Sequence, residues 1–364
     1  MRRNNSRPVG IGLVGCGDLG NMVLPHFEQA DARTRARIVA VCDNEAEKVE
    51  TARQRYNVPA RYTDYGDLLA DENVELVLLL LPMQLHAPFA LRALEAGKHI
   101  YVQKAMTATL AEADELVAAV RASGLKAGAA PGQMFAPFFR ETARLVREGA
   151  LGHVFWTFTN NAGRGSEYPW YLREGGGPLN TVTVYSLAAL TGVFGPARYV
   201  TALSATVVPE APVPGGTMRR ECDDNTLILL DFGDGHFAFA NGCDAVVPDS
   251  LQWGQFAVAG EKASLESGAI HMPSGWPVEF ILKERGRSPR RIPVPISDLP
   301  CLDGAHAELL EPHVYADIMH MVDCIVDDTE PAISVEHGRH VVEIIENAYE
   351  SARAGTRREL RTRF

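Results

Sequence analysis

The stretch Val9-Gly-Ile-Gly-Leu-Val-Gly15-Cys-Gly17-Asp-Leu-Gly20 decides the fold. Val9 to Val14 is an apolar run of strand length that ends in a complete GxGxxG pattern. A helix-like segment, Asn21-Met-Val-Leu-Pro-His-Phe-Glu28, follows it. Each glycine has its own task in such a strand–turn–helix. Gly15 permits the tight turn, Gly17 leaves room for a pyrophosphate, and Gly20 lets helix and strand pack closely. Asp18 and Leu19 complete the turn. Free N–H groups and the helix dipole favour an anion at this point.

A second apolar run, Arg37-Ile-Val-Ala-Val-Cys42, ends at Asp43. Asp43 lies 23 positions beyond Gly20, near the usual spacing of about 20 for the acid that binds ribose hydroxyls. A carboxylate there repels a 2′-phosphate, and Asn44 adds no positive charge, so NAD is expected over NADP. Capping a helix from Glu45 onward is the other role open to Asp43, and the two roles can coexist.

Strand-like and helix-like segments then alternate. Asp64–Leu69, Ala87–Glu95 and Ala111–Arg121 read as helices, and Val74–Leu81, Lys98–Val102 and Leu125–Ala129 as strands. Alternation of this kind predicts a doubly wound parallel sheet over residues 1–130, a Rossmann domain. Ligands of such sheets bind at the carboxyl ends of the strands. Pro82, Gln84, His86, Gln103 and Lys104 all follow strand ends, on the same rim as Gly17 and Asp43.

The pattern changes after Ala130. Phe135–Gly149 reads as an amphipathic helix. Strand-like runs follow at Val154–Thr159, Tyr199–Val208, Asp224–Phe232, His236–Gly242, Gln255–Ala259 and Val278–Lys283. Few helices separate them, which predicts an antiparallel or mixed sheet; the domain over 131–364 is expected to be α+β, with a large open, mainly antiparallel sheet. Helices are expected at Thr181–Leu190, Tyr315–Val326 and Glu336–Ala354, loops at 209–216 and 272–277, and a solvated basic end from Arg357.

Bulk properties set limits. The chain has 364 residues, 46% of them hydrophobic and 22% charged, the balance of a globular protein with a real core. A net charge of −11 argues against nucleic acid or an anionic membrane as partner. Six scattered cysteines without a CxxC pair predict reduced thiols rather than a disulfide framework or zinc site, and a cytoplasmic protein. His306 and His313 lack metal-ligand spacing, and no metal is expected.

With these residues in view, the chain resembles the glucose–fructose oxidoreductase / inositol dehydrogenase / MocA (Gfo/Idh/MocA) family over nearly its whole length. The resemblance rests on Gly15-Cys-Gly-Asp-Leu-Gly20, Pro82-Met-Gln-Leu-His86, Glu95-Ala-Gly-Lys-His-Ile-Tyr-Val-Gln-Lys104, Arg147-Glu-Gly-Ala-Leu-Gly-His-Val154 and Gly175-Gly-Gly-Pro-Leu179. It implies an NAD(P)-dependent oxidoreductase of a sugar, polyol or glycoside. It also implies a second domain that serves substrate binding and a homodimeric or homotetrameric interface. Two departures stand out. The family's Glu-Lys-Pro is Gln103-Lys104-Ala105, and its Asp-x-Gly-x-His is Thr181-Val-Thr-Val-Tyr185. Gln103 is expected to reach the nicotinamide ribose, and His86 to shape the loop beside the cofactor.

Lys104 and Tyr185 are the expected catalytic residues. Tyrosine ionises near pH 10 unaided, and a neighbouring ammonium favours the phenolate. Either Tyr185 takes the substrate proton with Lys104 as its electrostatic partner, or Lys104 takes it and Tyr185 orients the substrate. A packed core aromatic is the plainer role for Tyr185. Arg164, Trp170, Tyr171, Asn180 and Thr181 are further substrate-binding candidates, and Glu167 and Asp244 could stand in for the carboxylate absent at Thr181. Two other functions fit the same motifs: transient oxidation and elimination on a glycoside with retained NAD, or cofactor and sugar binding without turnover.

Overall fold

The computed structural model describes residues 7–162, 168–244, 254–271, 274–294, 301–302 and 304–364. The chain divides into two compact units, Met1–Gly132 with Ser297–Gly338, and Gln133–Ile296 with Arg339–Phe364.

The first unit is built on six strands: β1 (Val9–Val14), β2 (Ala36–Cys42), β3 (Ala60–Tyr62), β4 (Leu76–Leu79), β5 (His99–Val102) and β6 (Ala127–Ala129). They pair in the order β3-β2-β1-β4-β5-β6, all parallel. The order reverses between β1 and β4, which is the switch point of a doubly wound sheet. Every residue of β1 and β4 is buried, as expected where helices cover both faces. Val14 lies level with Cys42 on one side and Leu79 on the other, and Leu79 with Val102. Gly15, Asp43, Leu80 and Gln103 therefore leave the sheet along one edge.

The return segment of this unit had no signal in the alternation. It runs along the free edge of β6. Ala129 N donates to Ile333 O at 2.8 Å, and a Cβ on Gly128 would lie 2.4 Å from Met321 Sδ. An otherwise open strand edge is thus covered. The rings of His306 and Tyr315 stack at 4.0 Å, and His26 Nδ1 lies 2.9 Å from His306 Nδ1.

The second unit contains β7 (Val154–Ala162), β8 (Tyr199–Ala205), β9 (Glu210–Val213), β10 (Gly216–Arg219), β11 (Asn225–Gly233), β12 (His236–Cys243) and β13 (Gln255–Gly260). After these come β14 (Ala263–Ser267), β15 (Ile270–His271), β16 (Trp276–Pro277), β17 (Glu279–Glu284), β18 (Arg290–Pro293) and β19 (Arg358–Glu359). Among the described residues nine of them form one sheet, β18-β17-β14-β13-β7-β12-β11-β8-β19. Only the β7–β12 pairing is parallel. The Val184–Phe194 helix packs on β7 and β12 and against the Pro137–Arg147 helix. From Asn225 to Leu230 in β11 burial alternates, with Thr226, Ile228 and Leu230 inward and Leu227 and Leu229 outward.

Two expectations are corrected here. Residues 209–216 are not a loop. β9 and β10 pair from Val213 with Gly216, and Gly215 takes φ +89° at the two-residue turn. Glycine suits that left-handed turn position. Trp276–Pro277, in the expected loop 272–277, is β16 and pairs with β15. The basic end is exposed at Arg357, Glu359, Arg361, Arg363 and Phe364, as expected, but it is anchored. β19 pairs with β8, Leu360 is fully buried, and Arg357 stacks 3.5 Å over the Tyr199 ring. Glu343 fastens the tail by accepting Arg361 N at 2.7 Å and Thr362 N at 2.9 Å.

Burial would raise the Glu343 pKa, but bonds from His340, Thr362 and the two backbone N–H groups prevail and hold it down at about 2. A depressed carboxyl contributes stability that is complete above its ordinary range and is lost as pH falls toward the folded value. Urea unfolding is therefore expected to show a loss of roughly 3 kcal/mol between about pH 5 and pH 2. Glu343→Gln should remove most of that acid dependence. An unchanged acid limb in Glu343→Gln would show that the tail is not held in this way.

Candidate active site

The glycine turn has the geometry its sequence requires. Gly15 sits at φ +102°, and a Cβ there would come within 2.3 Å of Leu80 O. A Cβ on Gly20 would lie 2.3 Å from Gly15 O. Gly17 differs, because among the described residues a Cβ there would meet no atom within 4 Å beyond its chain neighbours. Two glycines serve packing, and the third keeps a space open above the turn. Asn21 Nδ2 braces the turn by donating to Cys16 O and Gly17 O, both at 3.0 Å. Asp18 and Leu19 open the helix beyond it.

Asp43 is tied to this turn. Its Oδ2 accepts Cys16 N at 2.8 Å and its Oδ1 accepts Glu45 N at 3.0 Å. The carboxylate thus stands beside the open space at the β1–β2 edge. It makes a local turn with Glu45, while the Ala46–Arg55 helix has no side-chain cap. An open approach at Gly17 with a fixed acid beside it fits a dinucleotide with an unphosphorylated 2′-hydroxyl.

Farther along the same edge stand Pro82, exposed after β4, and Lys104, half-buried after β5. The Lys104–Ala105 peptide is cis. Burial lowers the Lys104 pKa, and Glu311 acts in the opposite sense. Glu311 and His313 are neighbours of Lys104 that sequence reasoning did not connect with it. Glu311 Oε2 is 3.4 Å from His313 Nε2, and the lysine's charge helps burial to depress the His313 pKa. Both belong to the return segment, so no local motif announces them.

His86 and Gln103 take other partners than a cofactor contact would need. His86 is fully buried, with Nδ1 2.8 Å from Ala105 O and Nε2 2.8 Å from Leu81 O. The ring staples the peptide after Lys104 to the end of β4, so it shapes the loop from inside. Gln103 is only 4% exposed, and its amide bonds to Tyr101 and to the Lys104 backbone rather than turning outward.

In the second unit, the segment after the triple glycine forms a π-turn over Leu179–Thr183 and then the Val184–Phe194 helix. Such wide turns recur at functional sites. Tyr185 opens onto a recess with Gln133, Thr159, Asn161, Ser186 and Gln255. Asn161 Nδ2 is fixed by Ser186 Oγ at 2.7 Å and Val182 O at 3.2 Å. Among the described residues the recess is lined by amides, hydroxyls and apolar groups, with no charged side chain.

Trp170 is exposed and stacks with Tyr168, their centroids 6.4 Å apart. Tyr171 and Asn180, also expected to meet substrate, are buried instead. Asn180 Nδ2 donates to Gly176 O, and the Tyr171 hydroxyl is engaged with Thr181 and Asp244. Asp244 in turn is paired with Arg220 at 2.9 Å. A carboxylate therefore lies one hydroxyl away from Thr181. Arg164 and Glu167 lie outside the described residues.

Substitution separates the glycines. Gly17→Ala should leave the melting temperature near wild type and weaken NADH binding by more than about tenfold, because its methyl group meets only the ligand. Gly20→Ala should lower the melting temperature. Titration of NADH fluorescence beside thermal unfolding checks both, and normal NADH affinity in Gly17→Ala would contradict the assignment.

Comparison with known proteins agrees with this geometry. Residues 9–130 match the model of an oxidoreductase family with an NAD-binding Rossmann fold, and residues 139–266 match the GFO/IDH/MocA C-terminal domain. The uncharacterized oxidoreductase YrbE of Bacillus subtilis is 25% identical over 253 residues, 68% of each chain. D-apiose dehydrogenase of Paraburkholderia graminis is 23% identical over 359 residues, covering 96% of this chain and 89% of that one. The fold is shared with levoglucosan dehydrogenase in complex with NADH and levoglucosan, at TM-score 0.83, 19% identity and coverage of 97% and 100%. The two matched regions, the six-stranded parallel sheet and the large mixed sheet give one conclusion: the chain belongs to the Gfo/Idh/MocA family of NAD-binding oxidoreductases.

Proposed function

We propose that this protein is an NAD-dependent dehydrogenase or reductase acting on a hydroxyl-bearing carbon of a neutral sugar, polyol or glycoside. The observation that carries this reading is Lys104, a lysine with a lowered pKa on the rim of an NAD-binding sheet. When bound, NAD supplies the hydride acceptor at its nicotinamide. The turn at Gly15–Gly20 would hold its diphosphate and Asp43 its ribose hydroxyls. Among the described residues the recess at Tyr185 is lined by no charged side chain, which supports a neutral, hydroxyl-rich substrate, since buried amides and hydroxyls recognise one another by hydrogen bonding. The names of relatives such as D-apiose dehydrogenase point to the same class.

Lys104 exchanges the hydroxyl proton in this account. A general base works best when its pKa lies near the working pH, and burial moves the amine in that direction. Tyr185 orients the substrate from the neutral recess, and Trp170 offers an apolar face to a sugar ring. Lys104→Ala should reduce kcat by about two to four orders of magnitude while NAD still binds. Tyr185→Phe should act more on KM. In the oxidising direction kcat/KM should rise with pH through the Lys104 ionisation, and that rise should vanish in Lys104→Ala. The assay is NADH accumulation with a panel of sugars and polyols. Turnover near wild type in Lys104→Ala would sink the assignment.

The outer face of the large sheet supports a homo-oligomer. Leu203 is 71% exposed, Leu229 and Phe237 are 45% exposed, and Trp156 is 42% exposed. Phe158 and Phe239 continue the patch, their rings 4.6 Å apart. A contiguous apolar sheet face of this kind marks an association surface. Light scattering should report a dimer or tetramer for the wild type and a monomer for Leu203→Glu combined with Leu229→Glu. A monomeric wild type would contradict the proposal.

A further inference from the structure

We propose that Asp317 is a positioning residue for the cofactor rim, acting on Lys104 through Tyr101 and Gln103; this rests on the reading of that rim as the NAD site. The four residues form one hydrogen-bonded chain inside the first unit. Lys104 N donates to Gln103 Oε1 at 3.2 Å, Gln103 Nε2 to Tyr101 Oη at 3.1 Å, and Tyr101 Oη to Asp317 Oδ2 at 3.1 Å. Gly132 N also donates to Asp317 Oδ2, at 3.1 Å. A backbone N–H can only donate, which fixes the orientation of the Gln103 amide and hence the direction of the whole chain.

Asp317 sits on the Pro312–Asp327 helix and is 1% exposed. Its Oδ1 is buried without a hydrogen-bond partner among the described residues. That orphan atom makes the two protonation states unequal. An ionised Asp317 accepts strongly from Tyr101, and aligned bonds reinforce one another back to the Lys104 peptide. A protonated Asp317 carries O–H on Oδ1 with nothing to receive it, and Oδ2 becomes a weaker acceptor. Tyr101 and Gln103 are then held less firmly, and so is the peptide from which Lys104 projects.

The surroundings leave this chain as the main polar contact of Asp317. Of the elements packed on its helix, β5 brings His99 and Tyr101, the Asp18–Val23 helix brings Asp18, and β6 brings no ionisable group; His26 and His306 stack on Tyr315, and Arg35 pairs with Asp323 farther along the helix. On its own helix His313 and His320 stand one turn to either side. Burial pushes the Asp317 carboxyl up to about 7, against the pull of Gly132 N–H and the Tyr101 hydroxyl. The switch therefore falls in the neutral range.

The test uses the full chain and NADH as probe, with affinity read by fluorescence from about pH 5.5 to about pH 8.5. Wild-type affinity should rise about fivefold or more as Asp317 ionises. Asp317→Asn keeps an acceptor for Tyr101 but cannot ionise, so its affinity should stay within about twofold across the range. Tyr101→Phe preserves packing, cuts the chain, and should be equally flat; it carries the test if Asp317→Asn folds poorly. A flat wild type, or a wild-type pH profile retained in both variants, would overturn the proposal while leaving the NAD site intact. Absence of NADH binding by the wild type at every pH would overturn the cofactor reading as well.

Discussion

The bond from Cys16 N to the Asp43 carboxylate joins the two strands on which the nucleotide site depends. It holds the acid of β2 against the glycine turn of β1 at 2.8 Å. Parallel register then brings the ends of β4 and β5 to the same edge. Gly17 keeps that edge open, while Gly15 and Gly20 close the backbone around it. The acid, the space and the lysine are thus consequences of one sheet order and one turn.

The same rim is supported by buried polar groups. The two ring nitrogens of His86 lie 2.8 Å from Ala105 O and Leu81 O, and Gln103 donates an amide N–H to Tyr101. Inside a protein such bonds are strong when satisfied and costly when one partner is left over. That economy explains why residues expected to touch a cofactor turn inward instead. The second unit repeats the arrangement behind its triple glycine. Tyr349 donates to Asp223 at 2.6 Å, Arg220 pairs with Asp244, and Tyr171 engages Thr181. A buried carboxylate–tyrosine cluster thereby stands behind the π-turn that precedes Tyr185.

Much of the fold was legible in the sequence because its signals are local. GxGxxG after an apolar strand, an acid 23 positions later, and alternating segments sufficed for the parallel sheet. Lys104 was legible from its place after a strand. What stayed hidden depends on partners distant in the chain. Tyr101 and Asp317 are 216 positions apart, and no periodicity links them. Glu311 and His313 reach the Lys104 environment only because the return segment rejoins the first unit. The tail from Arg357 reads as charged, yet buried Leu360 and the acceptor Glu343 decide its place. The π-turn was invisible because its spacing differs too little from that of an α-helix over five residues.

The NAD reading rests on Asp43, held at the glycine turn beside the space at Gly17. Its most direct test is a comparison of NAD and NADP dissociation constants by calorimetry for the wild type and Asp43→Ala. The wild type is expected to prefer NAD by at least about tenfold, and the preference to disappear largely in the variant. Equal affinity for the two cofactors in the wild type, or tighter binding of NADP, would contradict it.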